Sequence, residues 1–369
     1  MTNRLTGNFE QINSELHLSG LRIAELCRQQ QRSGPFYLYD AAWIDGQYQK
    51  LDDAFKTTYP YGHQISYAVK ANDALAILKR LARAGAGADI VSGGELDRAL
   101  AADIPANKIV FAGVGKTEIE IEKALIIGIQ QFNVESFAEL ERIASVAERL
   151  GVIAPIALRA NPDVDAKTHA KITTGTKANK FGISLNEILP LAERTKTMPS
   201  VKLVAIAMHI GSQITSLAPF QQAYGVMARL VEDLLRRGIE LERLDVGGGI
   251  GVDYGDGIKT ISFQSFADVV TGALAPFGLP VLIEPGRSIV AEAGALLTQV
   301  QYIKHSYDRR FVIVDAGMHN LMRPALYDAV HPIVSVNEPL SARTAPADLV
   351  GPICESTDVF AKQVDLPAN

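Results

Sequence analysis

Eight short runs rich in apolar and β-branched residues recur through the chain, at residues 64–69, 88–91, 108–112, 131–134, 154–158, 203–208, 243–246 and 281–283. Between most of these runs, apolar side chains repeat at helical spacing, as at residues 74–84, 94–102, 117–127, 137–150 and 219–237. Strands that alternate with helices pair in parallel. Because eight such units over roughly 220 residues suit a barrel of about 250 residues, the sequence predicts an α/β fold built on a (β/α)8 TIM barrel.

The pattern changes after about residue 295. Runs at residues 296–304, 310–315 and 332–336 are short and β-rich, with turn signals between them. A chain of 369 residues with 47% hydrophobic composition is long enough for a second domain. We predict an N-terminal segment at 1–35 that packs on the β domain, a barrel at 36–283 and a C-terminal β-rich domain at 284–369. The N-terminal segment is expected to contain a helix at 21–31.

Charge and cysteine content exclude several classes of protein. The net charge of −5 without a basic stripe argues against a nucleic-acid partner. Neither an 18-residue apolar run nor a cationic, apolar leader is found, so we expect a cytoplasmic protein with no membrane partner. Cys27 and Cys354 suit a reducing compartment and predict no disulfide framework. The sequence contains no motif of closely spaced His and Cys residues, so no metal site is predicted.

The residues at the carboxyl ends of the predicted strands are nearly all polar or glycine. They are Lys70, Ser92 with Gly93 and Gly94, Gly113, Glu135, Arg159, His209, Gly247, Gly248, Gly249 and Glu284. In a barrel these ends form one face, where the active site lies. Each residue alone has an ordinary interpretation as a turn residue. A lysine, a histidine and a glutamate on one rim indicate a catalytic site instead.

Lys70 ends the apolar stretch Ile65-Ser-Tyr-Ala-Val-Lys70. An amine in apolar surroundings is expected to have a lowered pKa, which makes it a nucleophile for carbonyl groups. The alternative is a lysine whose stem lies along a strand edge while its ammonium stays in water.

The glycine run Asp245-Val-Gly-Gly-Gly-Ile-Gly251 follows the seventh strand, near where barrels often bind phosphate. A dinucleotide fingerprint fails, because Val252 stands where the third glycine is needed. The alternative that the glycine run is only a structural turn stays open.

Glu284 ends the eighth strand. It either pairs with Arg287 or keeps the ring nitrogen of a ligand protonated. A phosphate, an aldehyde for Lys70 and a ring nitrogen for Glu284 occur together in pyridoxal 5′-phosphate (PLP), on which His209 is expected to stack.

Nine ordered motifs resemble those of diaminopimelate decarboxylase, a PLP-dependent family of the alanine racemase-like fold class. They are Tyr67-Ala-Val-Lys-Ala-Asn72, Ala88-Asp-Ile-Val-Ser-Gly-Gly-Glu-Leu96, Phe111-Ala-Gly-Val-Gly-Lys116, Arg159-Ala-Asn-Pro-Asp-Val-Asp165, His209-Ile-Gly-Ser-Gln213, the glycine run, Glu284-Pro-Gly-Arg287, Arg323-Pro-Ala-Leu-Tyr327 and Cys354-Glu-Ser-Thr-Asp358. The resemblance extends from about Phe36 to the end of the chain.

The resemblance implies a set of cofactor-binding residues. They are Lys70, Asp89, His209, Ser212, Gly247, Gly248, Gly249, Glu284, Gly286 and Arg287. Lys70 would hold the cofactor covalently, His209 would stack on its ring, and Glu284 would pair with the ring nitrogen. Ser212, the glycine run and the backbone at Gly286 and Arg287 would hold the phosphate. Lys70, His209 and Cys354 are the implied catalytic residues.

The resemblance also implies a homodimer and a substrate. Cys354 would protonate the decarboxylated product, with Cys354 and Glu355 contributed across the dimer interface. The reaction would be decarboxylation of meso-2,6-diaminopimelate to L-lysine and CO2, the last step of lysine biosynthesis. Two arginines, Arg287 and Arg323, suit the distal carboxylate of this substrate and would repel the bare cation of a diamine precursor. Glu355 would take the distal ammonium and Tyr327 would add a hydrogen bond.

Two alternatives stay open. One is a PLP decarboxylase of another amino acid, and the other is a non-catalytic PLP-binding relative. Family members continue past the Cys-Glu-Ser motif with further strands, whereas this chain ends at Asn369, so we expect an incomplete C-terminal β domain. Outside the resemblance, Cys354 would be interpreted as a buried small hydrophobe. Residues 161–181 are expected to form a long loop that covers part of the site.

Overall fold

The computed structural model describes residues 5–29, 34–165, 180–255, 257–337 and 343–368. The chain divides into two compact units. The first consists of Met1–Trp43, Asp253–Lys259 and Ala291–Asn369, and the second of Ile44–Val252 and Thr260–Val290. The predicted domain boundaries after residues 35 and 283 stay a prediction, because a compact unit need not coincide with a domain that folds alone.

The first unit begins with a small antiparallel sheet. Its strands are β1 (Phe9–Ile12), β2 (Glu15–Leu18) and β3 (Leu21–Arg22). Helix α1 (Ile23–Gln29) and strand β4 (Phe36–Tyr39) follow. The expected helix thus begins two residues later than predicted, because Leu21 and Arg22 pair with β2. Leu16, Leu18, Ile23 and Leu297 form a buried apolar cluster that stabilises this part of the unit.

The second unit contains a closed barrel of eight parallel strands. They are β5 (His63–Ala68), β6 (Gly87–Ile90), β7 (Ile109–Phe111), β8 (Gln131–Val134), β9 (Ala154–Asn161), β11 (Val201–Ala207), β12 (Arg243–Asp245) and β13 (Val281–Ile283). Each pairs with the next, and β13 pairs with β5 to close the ring. Strand β10 (Ile183–Ser184) pairs in parallel with the last two residues of β9 and is not part of the ring of eight. All eight predicted strands are confirmed, and so is the TIM-barrel fold.

Helices connect the strands. They are α2 (Ala41–Thr58), α3 (Leu75–Arg83), α4 (Gly93–Ala101), α5 (Glu118–Ile127), α6 (Phe137–Leu150), α7 (Leu185–Thr195), α8 (Ala218–Arg236), α9 (Phe263–Leu274) and α10 (Arg287–Val290). Several N-termini are set by side-chain caps: the hydroxyl of Thr117, for example, accepts the backbone N–H of Glu120, and the Glu120 carboxylate accepts that of Thr117. The longer helices each bury one apolar face; Phe220 of α8 meets Phe266 of α9 edge-on with ring centroids 5.0 Å apart. The five predicted helices are confirmed.

The rest of the first unit is β-rich. Strand β14 (Gly294–Leu297) pairs with β4, and β15 (Val300–Ser306), β16 (Arg309–Val314), β17 (Thr344–Val350) and β18 (Val359–Pro367) form one sheet in that order. Helix α11 (Arg323–Tyr327) lies between β16 and β17 in the chain. The predicted strand at 332–336 is wrong. Val334 and Val336 instead pack against the N-terminal cluster, and the carbonyl of Val336 accepts the N–H of Leu16. Among the described residues, no helix is both long and apolar enough to span a bilayer.

Candidate active site

The carboxyl ends of the barrel strands bring four predicted residues together. Lys70 lies in a 3₁₀ turn directly after β5, and Asp89 lies within β6. His209 follows β11 and Glu284 follows β13. Parallel strands carry their carboxyl ends to one face of a barrel, so the fold itself gathers these side chains.

Lys70 is paired with a buried carboxylate. Its Nζ lies 2.5 Å from Oδ2 of Asp89, whose side chain is 1% exposed, whereas that of Lys70 is 46% exposed. The ammonium still lies deep enough among protein atoms for desolvation to lower its pKa, but the charges of Asp89 and Glu284 raise that pKa, and the net shift is upward. The expected lowering of the Lys70 pKa is therefore wrong. Two acidic neighbours outweigh the burial that the apolar run suggested.

Glu284 belongs to a buried polar cluster inside the barrel. Nδ2 of Asn133 donates to Oε1 of Glu284 at 3.2 Å and to Oδ2 of Asp245 at 3.0 Å. Burial raises the pKa of Glu284 well above its usual range, and the carboxylates of Asp245 and Asp89 raise it further. Burial also raises the pKa of Asp245 to about 6. Glu284 therefore tends to keep a proton, which a ring nitrogen beside it would accept or share.

His209 is held as a neutral ring. Its Nδ1 accepts the backbone N–H of Gly248 at 3.2 Å, so the proton of the neutral imidazole is on Nε2. Burial lowers the pKa of His209 well below its usual value, and the positive charges of Arg159 and Lys70 lower it further. A neutral imidazole of fixed orientation is suited to stacking on a flat ligand.

The glycine run is packed too tightly for any side chain. A Cβ on Gly248 would lie 2.0 Å from the carbonyl oxygen of Glu284, and one on Gly249 would lie 2.3 Å from that of Gly211. Gly249 also has a φ of +105°, which residues with a Cβ rarely adopt. The N–H of Gly247 donates to Oδ1 of Asp245 at 3.0 Å and that of Gly248 to Nδ1 of His209 at 3.2 Å, while the carbonyl of Gly249 accepts the N–H of Ile214 at 2.9 Å, so all three glycines form hydrogen bonds within the protein.

Ser212 and Arg287 are joined to each other. The Ser212 hydroxyl oxygen accepts hydrogen bonds from Nε and Nη2 of Arg287, at 3.3 and 3.2 Å. Gly286 lies next to the turn that carries Lys70, since a Cβ there would be 3.1 Å from the Cβ atoms of Ala68 and Ala71. The barrel thus brings Ser212, Gly286 and Arg287 to the same face as Lys70.

Several polar residues at this face were given no role from sequence. Arg159 donates to Glu135 at 2.5 Å, and Glu135 also accepts the N–H of Gly182 at 2.7 Å. Asn133 and Asp245 link to Glu284 as described above. The available signal was the alternation in Gln131-Phe-Asn133-Val, which puts two amides on the inner side of a strand.

The remaining predicted residues lie in the first unit. Arg323 and Tyr327 are four residues apart on α11, which places them on one side of the helix. Cys354 and Glu355 are exposed in the loop between β17 and β18, so the interpretation of Cys354 as a buried hydrophobe is wrong. Asp358 braces that loop, because its carboxylate accepts the N–H groups of Met318 at 2.6 Å and Ile353 at 2.8 Å.

Two further predictions concern a metal and a covering loop. Within the described residues, no group of His, Cys, Asp or Glu side chains is arranged to hold a metal ion. Most of the loop predicted at 161–181 lies outside the described residues, which omit 166–179.

Known proteins match both the sequence and the fold. The family model "Pyridoxal-dependent decarboxylase, pyridoxal binding domain" matches residues 44–291. The chain is 46% identical over 328 residues to diaminopimelate decarboxylase of Neisseria meningitidis serogroup B, which covers 89% of this chain and 78% of the relative. It is 45% identical over 359 residues to that of Pseudomonas aeruginosa, covering 97% and 85%.

Solved structures give the same result. Diaminopimelate decarboxylase from Helicobacter pylori in complex with L-lysine has a TM-score of 0.88 and 44% identity, with 94% of this chain and 85% of that chain covered. The enzyme from M. jannaschii in complex with L-lysine has a TM-score of 0.92 and 35% identity, with 99% and 86% covered. With identity above 40% over most of its length and the same barrel, the chain belongs to the diaminopimelate decarboxylase family of pyridoxal-dependent decarboxylases.

Proposed function

We propose that this protein decarboxylates meso-2,6-diaminopimelate to L-lysine and CO2 with PLP as cofactor. The observation that carries the proposal is that the amine of Lys70, paired with the buried carboxylate of Asp89 at 2.5 Å, and the buried carboxyl of Glu284, whose pKa is raised, lie at the same barrel face. An amine that reaches a carbonyl and an acid that reaches a ring nitrogen are the two groups that PLP chemistry requires of a protein.

The residues at the barrel mouth fit this cofactor. Oδ1 of Asp89 is buried and has no hydrogen-bond partner, so the site contains an acceptor that the chain itself does not satisfy. At Gly248 and Gly249 the backbone packs so closely against the carbonyl oxygens of Glu284 and Gly211 that only glycine fits there. Lys70, Asp89, His209, Ser212, Gly247, Gly248, Gly249, Glu284, Gly286 and Arg287 are the residues that we assign to holding the group. When bound, PLP supplies an electron sink for the pair left on the substrate α-carbon.

The proton on Lys70 must be removed before its amine attacks a carbonyl. The raised pKa of Lys70 keeps Nζ protonated in the ligand-free chain, and Oδ2 of Asp89 at 2.5 Å is an acceptor already in place. Asp89 also fixes the position of Nζ within the barrel mouth. Meanwhile Glu284 retains its proton for a ring nitrogen, and the neutral ring of His209 presents a flat apolar surface.

We assign the distal end of the substrate to Arg287, Arg323, Tyr327 and Glu355. Guanidinium groups bind carboxylates through paired N–H donors, and a carboxylate takes an ammonium. Arg323 and Tyr327 support this assignment because they share one side of α11. Cys354 is assigned to protonating the α-carbon after CO2 leaves, and its exposed thiol is available for that role.

We further propose a homodimer in which Cys354 and Glu355 act in the partner's site. The stretch from Pro352 to Thr357 is exposed although Asp358 holds its ends firmly. An ordered, exposed loop that carries a thiol and a carboxylate is suited to reaching a neighbouring molecule.

The test is lysine formation from meso-diaminopimelate by the purified chain with PLP, measured together with CO2. We expect lysine from the wild type and none from Lys70→Ala, which lacks the amine. L-Ornithine offered instead should yield little CO2, because its distal end lacks a carboxylate. A wild type that binds PLP, as its absorption band shows, yet forms no lysine would refute the proposal.

A further inference from the structure

Two aromatic residues surround the guanidinium of Arg323 in the first unit. Its carbon Cζ lies 4.5 Å from the centroid of the Tyr254 ring. Its Nη1 lies 3.1 Å from Nε2 of His331. The Tyr254 and His331 rings also contact each other edge to face, with centroids 5.1 Å apart and planes at 77°. All three side chains are half-buried.

The direction of the hydrogen bond follows from chemistry. A guanidinium has only donors, so Nε2 of His331 must be the acceptor and must carry no proton. One N–H of Arg323 is therefore committed to a neutral imidazole, while the Tyr254 ring lies over the guanidinium. A guanidinium that lies over an aromatic ring is attracted to the ring face, and the N–H groups along its edge are donors that a carboxylate accepts in pairs.

The backbone presents each aromatic residue in a defined place. Oδ1 of Asp253 accepts the N–H of Gly255 at 2.8 Å and that of Gly257 at 3.3 Å, which closes a tight turn around Tyr254. On the other side, α11 ends at Tyr327, and Asp328 adopts the left-handed region with a φ of +53°. This reversal turns the chain back on itself, so that the side chain of His331 contacts that of Arg323, which lies eight residues before it in the sequence.

We infer that Tyr254 and His331 are positioning residues, which hold the Arg323 guanidinium in the orientation that binds the distal carboxylate of a substrate. They thereby set the selectivity of the enzyme for ligands with an amino-acid group at that end over ligands with a bare amine. The inference rests on the proposed function, which assigns the distal carboxylate to Arg323. A free arginine side chain has many rotamers, whose entropy is lost on binding. A guanidinium that is already stacked and hydrogen-bonded has lost much of this freedom before the ligand arrives.

The test uses two ligands that differ in the group that Arg323 is assigned to bind. L-Lysine, the product, retains the distal carboxylate and ammonium, whereas cadaverine has an amine at each end and no carboxylate. Their affinities for the PLP-loaded enzyme are measured by calorimetry in the wild type, Tyr254→Ala, His331→Leu and, as the reference for complete loss, Arg323→Ala. Matched controls are Tyr254→Phe, which keeps the ring, and His331→Gln, which keeps an acceptor.

We expect Tyr254→Ala and His331→Leu to weaken L-lysine binding about tenfold, part of the loss in Arg323→Ala, and to leave cadaverine binding unchanged. Tyr254→Phe and His331→Gln should stay within about twofold of the wild type for both ligands, since the stacking ring or the acceptor remains. In turnover, KM for meso-diaminopimelate should rise by a similar factor with kcat within about twofold.

Equal losses for L-lysine and cadaverine, or no loss for either, would overturn the inference, because a merely structural role does not distinguish the two ligands. Variants at two positions keep the test decisive if one of them fails to fold. The calorimetric comparison needs no turnover. An enzyme that forms no lysine but shows the expected difference between ligands would therefore refute the proposed function and leave the inference standing.

Discussion

The Nδ1 atom of His209 accepts a hydrogen bond from the backbone N–H of Gly248 at 3.2 Å. This bond ties the orientation of the imidazole to a backbone segment in which no side chain fits, since a Cβ on Gly248 would lie 2.0 Å from the carbonyl oxygen of Glu284. The glycine therefore helps to determine the positions of both the His209 imidazole and the backbone of Glu284 at the end of β13.

Gly248→Ala is expected to abolish PLP binding and activity. The added methyl group meets backbone atoms of Glu284 that cannot move aside without shifting the end of β13. We expect the PLP absorption band to be lost and the melting temperature to fall by several degrees. The control is Gly272→Ala in α9, where nothing lies within 4 Å of the added Cβ; it should keep activity and gain roughly 0.5 to 1 kcal/mol of stability. A Gly248→Ala enzyme with wild-type PLP affinity would contradict the structure.

Lys116 is expected to be essential to stability rather than to catalysis. Its fully buried ammonium donates to the carbonyls of Gly113 and Asn133, each at 2.8 Å, and to Oε1 of Glu139 at 2.7 Å. Burial lowers the pKa of Lys116. The two carbonyls and the Glu139 carboxylate nevertheless need a hydrogen-bond donor at this position. Lys116→Met leaves the Glu139 carboxylate without its partner, and about 3 to 5 kcal/mol should be lost in urea unfolding.

The matched variant for Lys116→Met is the double change with Glu139→Gln, which removes the unpaired charge. The amide that Glu139→Gln introduces retains an oxygen that can accept the N–H of Glu135, as Oε2 of Glu139 does at 2.7 Å. The double variant should recover part of the lost stability. If the single and double variants are equally unstable, the ion pair is not the source of the loss.

The barrel was predictable because its signal is local and repeated. Each strand is a short apolar run followed by a helical period, and parallel pairing follows from that alternation. Strands β17 and β18 were missed since Thr344-Ala-Pro-Ala and Lys362-Gln carry a proline and polar residues that weaken a strand pattern. The run at 332–336 has the right alternation, but its valines pack as single residues on another cluster.

The meeting of the candidate residues on one barrel face was predictable, whereas their electrostatics were not. Barrel topology alone places Lys70, His209 and Glu284 on one face. The direction of a pKa shift depends on partners distant in sequence: Asp89 lies 19 residues from Lys70, and the Asn133 amide joins Glu284 across 151 residues. Sequence shows the apolar run around Lys70 but not the carboxylates that face its ammonium.

Subunit mixing tests whether Cys354 acts across a dimer interface. Lys70→Ala and Cys354→Ala should each be nearly inactive. If the two residues of one site come from different subunits, a heterodimer of these variants contains one intact site and one site lacking both residues. Equal mixing with subunit exchange should then restore about a quarter of wild-type activity. No recovery, in a mixture shown by native mass spectrometry to contain heterodimers, would place Lys70 and Cys354 of each site on the same chain.

The Asp245 carboxyl is expected to make stability fall as pH rises through the mildly acidic range. Burial raises its pKa from an ordinary 3.8 to about 6, so between these values the folded chain holds a proton that the unfolded chain has released. The folded state then binds more protons, and the free energy of unfolding decreases with rising pH by up to about 1.4 kcal/mol per unit.

Asp245→Asn removes this titration. We expect the stability of the wild type relative to Asp245→Asn to fall by about 1 to 3 kcal/mol between pH 4.5 and 6.5. Urea unfolding of the cofactor-free proteins measures it, because bound PLP would itself shift stability. The test uses only how the difference in the free energy of unfolding between the two proteins changes with pH. A loss of stability caused by placing an amide NH2 beside Asn133 is the same at every pH and therefore cancels. Glu240→Gln, at an exposed position, is the control and should parallel the wild type. A difference that is flat over this range would mean that Asp245 is ionised in the folded chain already at pH 4.5, and that Asn133 and the N–H of Gly247 suffice to stabilise its charge.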